Sequence, residues 1–211
     1  MQLPHIGFPL GLFLSNMTGN IERNYNQLHL SYSGNRFHFL ASHDRMSLDL
    51  WLSLAHSNHQ LDHFLDRILR GIPLFNLQTL LIDTTFGHDT IIRYFGQFTT
   101  IQSMELQSHV VVPEFLHAMI PTPEHVESSY YSVPFPALQS LGFLRKSFRD
   151  LNLEEVLNFF MERYERGAGL QKLCIRKCFD IGEVNLQLLR EIVPDVEWDG
   201  VIAGDLFRSF M

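Results

Sequence analysis

One spacing constrains this chain more than any other: an apolar residue, two others, an apolar residue, one other, an apolar residue. It returns as Leu77-x-x-Leu80-x-Ile82, Ile101-x-x-Met104-x-Leu106, Leu138-x-x-Leu141-x-Phe143, Leu170-x-x-Leu173-x-Ile175 and Val193-x-x-Val196-x-Trp198. The starts lie 24, 37, 32 and 23 residues apart. The last two apolar residues of each segment are two apart, which is the period of a strand with one apolar side. The leading residue turns the chain into that strand and packs on the same side. No such strand can bury its apolar side alone, so the five must be neighbours over a shared interior.

Helical patterns separate these strands. Leu153, Val156, Leu157, Phe160, Met161 and Tyr164 recur at steps of three and four, one apolar stripe. Asn152 is placed to cap that helix, with Glu155 at the capping-box position and Gly167 as the stop. A shorter run, Val184, Leu186, Leu188 and Leu189, ends before Pro194. Residues 113–119 begin with Pro113 at the favoured first helical position, and 88–95 is a further short candidate. Strand and helix in alternation predict an α/β fold. Two of the intervals fall within the roughly 20–29 residues of leucine-rich repeats, and the others are longer by about one loop insertion. Cys178 stands eight residues after Leu170, where that repeat type places Asn or Cys to serve the backbone of the following turn. The equivalent residues are Thr85, His109 and Lys146. Thr85 suits the job and Lys146 departs from it, so the turns are expected to be irregular. The expectation for residues 71–211 is a leucine-rich-repeat-like solenoid with parallel strands and irregular helices.

Residues 1–70 read differently. Residues 27–32 and 37–41 alternate apolar and polar around Ser33-Gly34-Asn35, a hairpin pattern. Leu48, Leu50, Leu52 and Leu54 alternate strictly, giving a third strand. Leu61, Phe64, Leu65, Ile68 and Leu69 then form an amphipathic helix between a Ser57 cap and Gly71. This part is expected to be a small β-rich cap on the solenoid, because a terminal unit must turn one side to water.

Composition narrows the class further. With 16 Lys and Arg against 23 Asp and Glu, the formal net charge is −7. Such a chain is repelled by phosphates, so neither nucleic acid nor an anionic membrane surface is an expected partner. Aromatic residues make up 12%, which argues against disorder. Two cysteines, Cys174 and Cys178, cannot make a disulfide framework, and a reducing intracellular compartment, cytoplasmic or nuclear, follows as the expectation. The apolar stretch from Ile6 to Leu14 lacks a basic flank and a small-residue cleavage site, is interrupted by Pro9, and is too short to span a bilayer. The Asn16-Met17-Thr18 sequon matters only in a secreted chain.

On residues 13–21 (FLSNMTGNI), 135–143 (FPALQSLGF), 153–178 (LEEVLNFFMERYERGAGLQKLCIRKC) and 189–200 (LREIVPDVEWDG), the chain resembles the leucine-rich-repeat region of F-box proteins, particularly the expanded set of mushroom-forming fungi. The resemblance spans most of residues 13–200. It implies that the repeats hold a protein substrate. It also implies that an F-box ahead of them binds a Skp-type adaptor and joins a cullin-based ubiquitin ligase. The F-box pattern is not found in this sequence, which runs from MQLPHIGFPL straight to the hairpin. The expected role is therefore the substrate-recognition region of such a receptor, with adaptor and cullin as partners only if an F-box lies upstream. The alternative is a stand-alone leucine-rich-repeat scaffold with no ligase role.

If the alternation holds, the residues between the inward ones face the open side of the sheet. They are Thr79, Leu81 and Asp83; Ser103, Glu105 and Gln107; Ser140, Gly142 and Leu144; Lys172, Cys174 and Arg176; and Asp195, Glu197 and Asp199. Asp83, Glu105, Gln107, Lys172, Arg176, Asp195, Glu197 and Asp199 are the candidate partner-binding residues, since a mixed charged surface suits a protein partner. Against that stands the plainer reading of solvated side chains on an exposed sheet.

Enzymatic and metal chemistry are not expected. His59 and His63 stand four apart beside His56 and Asp62, without the H-E-x-x-H pattern. Cys174 and Cys178 fall in different environments, and there is no second cysteine pair for zinc. Gly167-Ala168-Gly169 precedes a strand and lacks the ending of a phosphate loop. Nucleophile-elbow spacing is absent, and no cofactor is implied. Lysine occurs only at 146, 172 and 177. A ligase receptor benefits from few ubiquitin acceptors, although a shift of usage toward arginine explains the same count.

Overall fold

The computed structural model describes residues 25–33, 36–43, 46–53, 65–66, 68–69, 72, 74–84, 88–107, 110, 112–120, 133–149 and 152–200. The expected hairpin and third strand form as β1 (Gln27–Ser33), β2 (Arg36–His43) and β3 (Met46–Ser53), paired antiparallel in sequence order. Then strands and helices alternate: β4 (Thr79–Asp83), α1 (His88–Phe95), β5 (Ser103–Leu106), α2 (Val112–Ala118), β6 (Ser140–Leu144), α3 (Leu153–Glu165), β7 (Lys172–Arg176), α4 (Glu183–Ile192) and β8 (Asp195–Trp198). The fold is α/β, built on one eight-stranded sheet of order β3-β2-β1-β4-β5-β6-β7-β8. From β1 through β4 to β8 every pairing is parallel. The N-terminal meander is thus continuous with the rest through β1 and β4.

Register turns the sequence spacing into a core. Leu28, Leu80, Met104, Leu141, Leu173 and Val196 are successive partners across six strands. Leu30, Ile82, Leu106, Phe143, Ile175 and Trp198 make the next row. All are buried except Val196 and Trp198, which are half-buried on the final strand. Each buried side chain contributes about 1.5–3 kcal/mol against leaving it in water. The helices cover this side of the sheet: Ile91 and Phe95 of α1, Phe115 and Leu116 of α2, Val156, Phe159 and Phe160 of α3, and Leu186 and Leu189 of α4 join one core with the strand rows. Leu65, Asp66, Ile68 and Leu69 are helical, and Leu65 and Ile68 are buried there.

Two helix faces differ from expectation. In α3, Met161 is 49% and Tyr164 71% exposed, while Phe159 and Arg163 are buried. The helix is rotated so that a long cation, rather than Tyr164, points inward. The reason is a demand for donors. Arg163 Nη1 donates to Pro134 O at 2.8 Å, Nη2 to Phe135 O at 2.9 Å and Nε to Ala168 O at 3.2 Å. It thereby satisfies carbonyls in the turns that lead into both β6 and β7, and no apolar residue can do that. In α4, Val184 and Leu188 are exposed, while Leu186 and Leu189 are buried in the core. The cap at Asn152 forms as expected, its side chain accepting from Glu154 N at 3.2 Å and donating to the Glu155 carboxylate at 3.0 Å.

The turns repeat in detail between the last units. Arg145 and Lys177, each the residue after its strand, share positive φ values of 57° and 51°. Phe135 and Gly167, each three residues before the leading apolar residue, share values of 53° and 74°. The turns also stack, through Arg145 N to Arg176 O at 3.0 Å and Phe148 N to Phe179 O at 2.9 Å. Cys178 is fully buried among them: its thiol donates to Phe143 O at 3.4 Å and Arg176 O at 3.3 Å, and accepts from Lys146 N at 3.4 Å. Lys146, read from the sequence as a departure, stands at the equivalent position one unit earlier and also serves a backbone carbonyl. It is buried, and its amine donates to Val110 O at 2.5 Å. Burial pulls that amine down to about 8.

Among the described residues no helix is long and apolar enough to cross a membrane. The apolar stretch at 6–14, the Asn16 sequon, the histidines at 56, 59 and 63, and the turn residues Thr85 and His109 lie outside the described residues.

Candidate functional site

Because inward residues alternate with outward ones, the same pairings line up a second set of rows on the side away from the helices. The first row runs Ser42, Gln27, Thr79, Ser103, Ser140, Lys172, Asp195. The second runs Leu40, His29, Leu81, Glu105, Gly142, Cys174, Glu197. A third holds His38, Ser31 and Asp83 at one end and Leu144 and Arg176 at the other. Except for Gly142, these residues are half-buried or exposed, and the described helices pack on the other side of the sheet.

Gly142 shapes the centre. It lacks a side chain, and an added Cβ would meet Glu105 Cγ at 3.4 Å. Glu105 leans over it and pairs with Arg176, two strands away. Gln107 Nε2 donates to the same carboxylate at 2.9 Å. The Glu105 side chain is only 15% exposed under this bridge, against 57% for Arg176. A second network holds the β7–β8 end. Lys172 Nζ lies 2.5 Å from Glu197 and 3.5 Å from Asp195. The hydrogen bond to Glu197 raises the Lys172 amine and lowers the Glu197 carboxyl. Asp199 accepts from Lys177 N at 2.6 Å.

The structure therefore brings six of the eight candidate residues into two networks, Gln107–Glu105–Arg176 and Lys172–Glu197–Asp195, and ties a seventh, Asp199, to the turn after β7. The eighth, Asp83, lies toward the antiparallel end. There the sequence reading missed two residues. His29 and His38 sit on the same face with ring centroids 5.9 Å apart, and Ser31 Oγ lies 3.5 Å from His38 Nδ1. Burial first, and then His38, lowers the His29 imidazole, so it is neutral at pH 7. The alternation of Gln27, His29 and Ser31 against Leu28, Leu30 and Tyr32 carried that signal. Covalent chemistry is poorly served here. Burial and the contact with Glu197 raise the Cys174 thiol, which keeps it protonated and weakly nucleophilic. What these rows supply is hydrogen-bonding groups and paired charges.

No family model, curated protein or solved structure matches this chain.

Proposed function

We propose that this chain is a protein-recognition module of leucine-rich-repeat-like solenoid type, which grips its partner with the open side of the sheet. The observation that carries the reading is the double register: one row of apolar partners on the helix side, and polar rows in the same alignment on the other. The repeated turns support the solenoid, since Arg145 and Lys177 share one backbone conformation and the buried side chains of Lys146 and Cys178 each donate to a carbonyl of the preceding unit, Val110 O and Phe143 O. Within that reading, the resemblance to fungal F-box proteins suggests the role of a substrate receptor for a cullin-based ubiquitin ligase. A scaffold with no ligase role is the competing reading.

The test is immunoprecipitation of the full-length gene product, with immunoblotting for the Skp-type adaptor and cross-linking mass spectrometry for the partner's footprint. A receptor brings down the adaptor, and its substrate cross-links to residues of β4–β8. Partner capture without adaptor favours the scaffold. Cross-links confined to the helices overturn the open-face reading itself.

A further inference from the structure

The open face also constrains what it can hold, and this inference rests on the recognition reading above. Over β4–β8 it carries four carboxylates, Asp83, Glu105, Asp195 and Glu197, with Asp199 directly after β8, against two cations, Lys172 and Arg176. Both cations are engaged, Arg176 with Glu105 and Lys172 with Glu197 and Asp195. An incoming anion would have to break those pairs against a net negative field. An incoming cation meets Asp195 and Glu197, which share the one Lys172 amine while each carboxylate offers about four lone-pair sites. Asp195 has the longer contact, at 3.5 Å, and is 55% exposed.

Shape points to where such a partner lies. The Glu105–Arg176 bridge covers the second and third rows around Gly142 and leaves the first row uncovered. That row offers the short side chains of Thr79, Ser103 and Ser140 before it reaches Lys172 and Asp195. Arg145 and Lys177, the exposed basic residues of the turns, lie past the carboxyl ends of β6 and β7, at the opposite rim. Strands are spaced about 4.8 Å apart, so crossing from β4 to β8 spans about 19 Å, the reach of roughly six extended residues.

We propose that the partner is an extended protein segment with Arg or Lys at one end, lying across the amino ends of β4–β8. The hydroxyls of Thr79, Ser103 and Ser140 bind its backbone, and Asp195 with Glu197 receives its cationic end. The test uses the full chain and three fluorescein-labelled hexapeptides, Ser-Val-Ser-Val-Arg-Arg and its Gln-Gln and Glu-Glu counterparts, followed by fluorescence anisotropy. The arginine peptide is expected to bind best and to weaken with salt. Its affinity should fall at least about tenfold in Asp195→Lys and Glu197→Lys, and should not change in Glu191→Lys on the helix side. Equal or better binding of the Gln or Glu peptide, lost in Ser140→Trp, overturns the basic partner while the open-face reading stands. Loss of arginine-peptide binding in Glu191→Lys but not in Asp195→Lys overturns both. Binding of none of the three peptides overturns this proposal alone, because the cross-linking footprint decides the open-face reading independently.

Discussion

Lys146 and Arg163 are cations placed where the alternation of apolar residues leaves no room for charge, and both are held by backbone carbonyls. For Lys146 the consequence is a pH dependence with a definite sign. Its amine titrates near 10.5 when unfolded and at about 8 when folded, so between those values the unfolded chain binds more protons. Stability therefore rises with pH across that window, as the penalty for burying the charge is relieved. Thermal melts of wild type and Lys146→Met should show a constant difference below pH 8. Between pH 8 and 10.5 the difference should shift in favour of wild type, whereas a pH-independent difference would mean that the amine is not desolvated. Arg163 keeps its charge at neutral pH although burial pulls it down to about 10. Arg163→Met removes three hydrogen bonds, to the carbonyls of Pro134, Phe135 and Ala168, and should cost about 3 kcal/mol or more in urea unfolding, with Arg163→Lys recovering only part.

At the scale of elements, the strands divide into two populations that respond oppositely to charge. Leu141→Asp and Leu173→Asp put an unpaired carboxylate into the shared core and should unfold much of the chain, seen as loss of cooperative melting. Glu105→Lys and Arg176→Glu fall on the open side and should keep a cooperative melt, while changing capture of the proposed partner. Equal damage from both groups would mean that inward and outward were assigned wrongly. Gly142 gives a third probe. Gly142→Leu should preserve far-UV circular dichroism but push Glu105 off Arg176 and block the centre of the face, so binding falls while folding survives. The rotation of α3 belongs at this scale too. Its apolar residues admit two overlapping stripes, and the choice between them is made by turn carbonyls near Pro134 and Ala168, which helix periodicity does not report.

For the molecule as a whole, the strands, their parallel order and their inward rows were legible in the sequence because one local spacing encodes each of them. The meander of β1–β3 was legible from period-two alternation, but its docking through β1 onto β4 was not, since nothing local names a strand's distant neighbour. The same limit applies to the site. Its residues could be picked by alternation, yet the Glu105–Arg176 bridge joins residues 71 apart in the chain and depends on a glycine between them. Lys146 looked like a fault because its residue type is unusual for a turn, and only its partner, Val110 O, shows what it does. Everything functional rests on the side of the sheet opposite the helices being open. Thiol labelling measures that directly, with Ser103→Cys and Ser140→Cys each placed in a Cys174→Ser background. An open face predicts that both react with a maleimide in the native protein far faster than buried Cys178. Labelling as slow as that of Cys178, with the fold intact, would show the face to be covered and contradict the proposed binding role.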